Sequence, residues 1–193
     1  MLDDGLIDAF QALLRESYPT VQGWQCPTLA VHAEDGYERR TCLSVQIHHN
    51  GHDHWLVSAR TAAGVFLADS LLVEPSGTLP KQLVDLYQTE DDTKYLDVTF
   101  VPCQRQQGSV QCGDFAVVNA GLFAALMTAD RATMLTAFET FNQDQDQLRA
   151  HLVECCKSGT YSTPLALQLA PLCTLPRAAT FRIDCENLTV KIV

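Results

Sequence analysis

Four side chains in this sequence have the types and spacing to break an acyl bond. Cys112 stands where a Gly-, Ser- and Gln-bearing loop (106–113) gives way to a long apolar stretch. If that stretch is a helix, the thiol sits at its positive end, which lowers its pKa and enriches the thiolate. The free N–H groups of the first turn, with an amide side chain from Gln106 or Gln107, can stabilise an oxyanion. Gly113 leaves room for a substrate backbone to approach. A base is also needed. His54 begins one short apolar run and Asp69 ends the next, with a loop near 61–64 between them. In an antiparallel hairpin turning there, parity puts both side chains on one face, opposite each other or one diagonal step apart. An Asp that accepts from one imidazole nitrogen fixes the tautomer and frees the other nitrogen as a base. A surface histidine beside a turn-capping aspartate would show the same spacing, and so would a buried cysteine after an ordinary loop. Taken together, the residues describe a nucleophile with an oriented base.

These residues need elements to hold them. Residues 2–17 place Leu2, Leu6, Ile7, Phe10, Leu13 and Leu14 on one helical face, with Asp3 or Asp4 as cap and Pro19 as stop. Residues 42–49 alternate through Cys42, Val45 and Ile47, then turn at Asn50-Gly51. Residues 54–60 and 65–69 form the hairpin. Residues 80–89 read as a helix with Pro80 in its first turn, and 95–102 as another strand. The stretch from Cys112 to Thr128 is apolar nearly all round, which marks a buried central helix. Residues 131–141 and 144–157 read as two further helices, and the tail within 175–193 alternates like an added hairpin. The fold class expected is α+β: a central antiparallel or mixed sheet, including a meander, packed against a buried central helix with flanking helices. One domain spans 1–193.

Composition narrows the partners. Thirteen basic residues stand against 23 acidic ones, a net charge of −10. Phosphate binding normally carries the opposite sign, so neither nucleic acid nor an anionic membrane surface is an expected partner. A protein with a basic face suits this charge better. No apolar run reaches the length of a membrane span. The opening Met1-Leu2-Asp3-Asp4 lacks a basic region followed by an apolar core, so a reducing compartment, cytoplasmic or nuclear, is expected. The eight cysteines then read mostly as small buried hydrophobes. Cys155-Cys156 falls in that class rather than as a redox pair.

In the order His54-Trp55, Asp69-Ser70, Gln106 and Cys112-Gly113, the sequence resembles the Ulp/SENP family of ubiquitin-like-specific cysteine proteases, and more distantly the adenovirus protease. Gln106 lies six residues before Cys112, the family spacing. Leu2-Asp3-Asp4-Gly5-Leu6-Ile7 is similar to the family's first-helix motif. Tyr18-Pro19, Gly23-Trp24-Gln25 and Arg149-Ala150-His151-Leu152 resemble phrases of its divergent, transposon-associated branch. The resemblance implies a papain-like fold of the Ulp and adenovirus-protease type, with no cofactor or metal. It implies Cys112 as nucleophile, His54 as general base, Asp69 as its orienter, and Gln106 with the Cys112 N–H as oxyanion donors. Trp55 would wall a narrow channel admitting only a Gly-Gly tail, next to Gly113 and Gln111. The partners implied are ubiquitin or a ubiquitin-like protein (SUMO, NEDD8) and its conjugates, handled by a monomer. Two positions depart from the pattern. Gln111 replaces the usual Asp before the nucleophile, and the Trp that roofs the channel would fall on Met1, which makes Trp24 a candidate replacement.

Other readings are weaker. His48, His49, His52 and His54 cluster within seven residues, but four-coordinate zinc needs three or four converging ligands and no Cys-x-x-Cys pair is present. The first three read instead as a polar turn near solvent. A polyprotein-processing protease of viral or transposon type would use the same residues. A non-catalytic binder of ubiquitin-like proteins would normally show a broken triad. An acetyltransferase on this fold would need a basic cofactor-binding region, which this acidic chain lacks.

Overall fold

The first helix, α1 (Asp4–Ser17), starts where the Asp3 carboxylate accepts from the Leu6 N–H at 2.9 Å, and it buries Ile7, Phe10 and Leu14. Leu6, expected on that face, lies at the edge of the stripe and is 41% exposed. This architecture comes from a computed structural model, which describes residues 2–28, 36–71, 75–89, 94–141, 144–164 and 178–193. The remaining elements are β1 (Gln22–Gly23), β2 (Ser44–His49), β3 (Trp55–Thr61), β4 (Gly64–Ala68), α2 (Leu79–Tyr87) and β5 (Tyr95–Phe100). They continue with α3 (Cys112–Ala125), α4 (Arg131–Thr140), α5 (Gln145–Ser158), β6 (Ala179–Asp184) and β7 (Val190–Ile192).

The strands form one seven-stranded sheet in chain order. The expected antiparallel meander holds for β2, β3 and β4 and ends there. The chain returns through α2, so β5 runs parallel to β4. The tail makes the hairpin read from its alternation, with β6 antiparallel to both β5 and β7. Both faces of the sheet are covered. Trp55, Val57, Ala59, Phe66 and Ala68 face the larger core with α1 and α3, while Leu56, Val65 and Leu67 face a second core with α2 and β6. This explains why β2 is buried on both sides instead of alternating. Helix α3 is buried from Cys112 through Ala124, as its all-round apolar sequence requires. Among the described residues, no helix is long and apolar enough to cross a membrane.

Two expectations need correction. Only three of the seven described cysteines (Cys103, Cys112 and Cys155) are buried. Cys26 and Cys185 are half-buried, and Cys42 and Cys156 are exposed. Cys173 lies outside the described residues. His48 is not in a polar turn. It sits fully buried on β2, with Nδ1 at 2.8 Å from Gln82 Oε1 and Nε2 at 2.6 Å from Ser58 Oγ, which in turn meets the Tyr87 hydroxyl at 2.8 Å. The alternation of β2 points this side chain at α2, where Gln82 satisfies it.

Burial pushes the His48 imidazole down to about 4, against a smaller upward pull from Gln82. The fold therefore prefers the neutral ring. Its contribution is present above pH 6.5, the ordinary histidine value, and is lost as pH falls toward about 4. Urea denaturation should show an acid-side loss in that window, on the order of 3 kcal/mol at most. His48→Asn, less stable at neutral pH, should flatten it. An unchanged acid slope in that variant would exclude this origin.

Candidate active site

The β3–β4 hairpin positions the base. Its register pairs Val57 with Ala68. Continued by one step, it places Asp69 beside Leu56, so His54 and Asp69 share a face one diagonal step apart. His54 Nε2–H donates to Asp69 Oδ1 at 2.6 Å in a buried setting. The Leu71 N–H donates to the same oxygen at 2.8 Å, and the Cys103 thiol donates to the Asp69 carbonyl at 3.3 Å. With Nε2 taken, Nδ1 is left for the thiol.

That thiol arrives from α3, whose first residue is Cys112. Cys112 and His54 lie close enough for each to shift the other's ionisation. Burial opposes both ionised forms, but the contact outweighs it. The His54 imidazole is pushed up to about 9 by Asp69 and Cys112, and the Cys112 thiol is held below its usual range by His54 and by the Trp55 and Gly113 backbone. Both shifts favour the thiolate–imidazolium form over the neutral pair. Alkylation of Cys112 should therefore stay fast at pH values below the ordinary thiol range. Turnover should fall as pH rises through about 9, where the imidazolium loses its proton. His54→Ala should move the alkylation profile to higher pH, and an unmoved profile would rule out the pair.

Gln106 reaches the site because its N–H bonds the Ser70 carbonyl at 3.0 Å, next to Asp69. Ser70 Oγ–H donates to Gln106 Oε1 at 2.6 Å, and Gln106 Nε2 donates to the Gly108 carbonyl. One amide hydrogen of Gln106 is thus engaged and the second has no partner in these contacts. Gln106→Ala should lower kcat by roughly 10- to 1000-fold with little change in KM. An unchanged kcat would remove Gln106 from the reaction. Ser70 was legible only as the neighbour of Asp69. Its role as the clamp of Gln106 spans 36 residues and has no local signal.

The structure brings His54, Asp69 and Cys112 together, holds Gln106 against Ser70 next to Asp69, and treats the remaining candidates differently. Trp55 lies beside the nucleophile, its indole N–H donating to the Leu2 carbonyl at 3.2 Å and its ring edge-on to His49. Gly113 does not hold space for a substrate. A side chain there would come within 2.9 Å of Leu2 Cβ, so Leu2 already fills the gap. Trp24 is not at the site. It is 3% exposed, its indole N–H bonds the Val21 carbonyl, and its backbone N–H bonds Val45, which pairs with Ala59. That is four residues along β3 from Trp55, about 13 Å at the rise of a strand. The expected replacement roof is thus a core residue, while the Leu2 main chain meets the Trp55 indole and the Leu2 side chain lies over Gly113. Gln111 caps the start of α3 without a side-chain capping bond and folds over Gly108. Cys112 itself is 1% exposed. An ion pair between the buried Asp114 on α3 and Arg149 on α5, at 2.7 Å, ties those two helices together. Among the described residues, no group of three or more His, Cys, Asp or Glu side chains converges on a metal position.

A mixed sheet, a buried helix carrying a thiol at its start, and a hairpin carrying the base define an α+β fold of the kind built around a helix-borne cysteine. No protein-family model and no curated protein matches the sequence. Solved structures do match, Ulp1 protease domains among them. The SUMO protease Ulp1 with its catalytic cysteine oxidised to a sulfonic acid has a TM-score of 0.57 at 14% identity, covering 82% of this chain and 78% of that one. The form with the cysteine oxidised to a sulfenic acid gives 0.54 at 15% identity, with coverage of 82% and 78%. The C-terminal Ulp1 protease domain in complex with Smt3, the yeast ortholog of SUMO, gives 0.52 at 14% identity, covering 81% and 76%. This chain has the fold of the Ulp1 protease domain.

Proposed function

We propose that this chain is a cysteine peptidase that cleaves after the C-terminal glycine of ubiquitin or a ubiquitin-like protein. The observation that carries the reading is the His54 imidazole set between the Asp69 carboxylate and the Cys112 thiol at the start of a buried helix. The Cys112 thiolate attacks the glycine carbonyl carbon. The oxyanion is held by the Cys112 N–H and the free hydrogen of Gln106. His54 gives its proton to the leaving amine, and a thioester remains on Cys112. His54 then takes a proton from water, whose oxygen displaces the thiolate. The substrate class is supported by the fold shared with a protease solved in complex with Smt3 and by the net charge of −10, which suits a partner with basic residues around its tail. Trp55 is the proposed wall against which the glycines lie, with Leu2 displaced on entry.

The test is a panel of ubiquitin, SUMO and NEDD8, each with a C-terminal propargyl group, incubated with wild type and Cys112→Ala. A gel shift with one modifier, absent in the variant, supports nucleophile and substrate class together. No shift with any of the three, in a folded sample, overturns the ubiquitin-like reading and favours a polyprotein protease.

A further inference from the structure

A polar cavity of about 340 Å³ opens beside the nucleophile's loop. It is lined by Gln104, Gln107 and Gln111 and by Gln145 and Asp146 at the start of α5. Two of these side chains carry atoms shielded from solvent that have no hydrogen-bond partner among the described residues: the acceptor Gln111 Oε1 and the donor Gln145 Nε2. Unpaired buried polar atoms are costly, and native proteins keep them where a ligand or water completes the pairing. One free acceptor and one free donor among the lining residues are the complement of a peptide group, which offers one N–H and one C=O. The walls are held in place: Asp114 and Arg149 tie α5 to α3, and Gln111 lies over Gly108, whose carbonyl anchors Gln106.

The position of the cavity relative to the reaction gives it a role. Gln111 precedes Cys112, whereas Leu2, Trp55 and Gly113, on the flank proposed for the glycine tail, do not line it. A substrate with its acyl part along Trp55 sends its leaving part the other way. We propose that this cavity is the leaving-group subsite. It takes the main chain of the polypeptide that bears the departing amine, and it favours a Lys or Arg beside that amine through Asp146. The proposal rests on the peptidase reading above and deepens it.

The experiment compares two substrates built on whichever of ubiquitin, SUMO or NEDD8 labels in the panel. One carries C-terminal aminomethylcoumarin, which has no polypeptide beyond the scissile bond. The other is joined to the lysine of a short peptide flanked by either arginine or glutamate. Gln145→Leu should leave coumarin release within about twofold of wild type and lower kcat/KM on the peptide-linked substrate about 10-fold, the size of one lost hydrogen bond to a buried partner. Asp146→Lys should invert the preference for arginine over glutamate flanks. The subsite is overturned if the wild type cleaves both substrates and neither variant changes the peptide-linked one. It is equally overturned if both substrates slow together. A wild type inert on both substrates overturns the peptidase reading itself, an outcome distinct from failure of the subsite alone.

Discussion

Cys112→Ala is expected to reduce turnover to background, a loss of roughly 10⁵-fold or more, because no other group at the site can form the thioester. The fold should survive. The change removes one sulfur from the first residue of α3, and alanine is the best helix former, so the stability change should stay within about 1 kcal/mol. Binding of a modifier should be kept or tightened, since the tail docks without being consumed. The variant also reports on the base. The Cys112 thiolate is one of the groups that raise His54. Without it, the imidazole should titrate lower than in wild type, with Asp69 alone supporting its charge. NMR titration of the His54 ring would show this. Turnover at the wild-type rate in Cys112→Ala would end the proposal. So would probe labelling that persists in the variant, since the exposed Cys42 and Cys156 thiols would then account for it.

The second large effect concerns folding rather than chemistry. Gly121 lies inside α3, where alanine is normally favoured by about 1 kcal/mol. Here a Cβ would come within 2.0 Å of the Tyr161 hydroxyl oxygen and 2.5 Å of its ring carbon Cε1. Tyr161 is itself buried against Tyr18, their rings 6.4 Å apart. Either the ring leaves the core or the segment carrying it shifts. Overpacking of this kind costs about 1–3 kcal/mol, and expelling a buried ring adds more, so the steric cost exceeds the helix gain. Gly121→Ala should be destabilised by about 2–4 kcal/mol in urea melts. In a Tyr161→Leu background the same change should cost much less, because the clashing atoms are gone. A Gly121→Ala protein as stable as wild type would show that Tyr161 does not close on this helix.

Much of the candidate site was readable from local pattern. The parity of the run that His54 begins and the run that Asp69 ends put both on one face, and the hairpin register resolves the two options into the diagonal one. The step from polar loop to all-round apolar stretch put Cys112 at a helix start, because a helix without a polar face has only the interior to occupy. The reading failed where the partner was far away in sequence. His48 looked like one of several turn histidines, since nothing within a few residues announces Gln82, 34 positions on. Gly113 looked like room for substrate because the side chain that fills it, Leu2, comes from the other end of the domain. Trp24 was assigned to the site for its ring, but pairing of its backbone with Val45 carries it to the far end of β3.

With Gln106 chosen over Gln107 only by the family resemblance, the sequence by itself determined the α+β class, the buried central helix, the hairpin and the candidate positions of a nucleophile, base and orienter at Cys112, His54 and Asp69. These follow from periodicity, parity and turn chemistry, which act over a few residues and leave their mark on composition. Only the tertiary structure decided that β5 runs parallel to β4, that the Leu2 carbonyl meets the Trp55 indole, that Ser70 clamps Gln106, and that Gln111 and Gln145 line one cavity. Each of these is a contact between segments far apart in the sequence. The packing of whole faces selects such contacts, and no local rule of residue spacing encodes them.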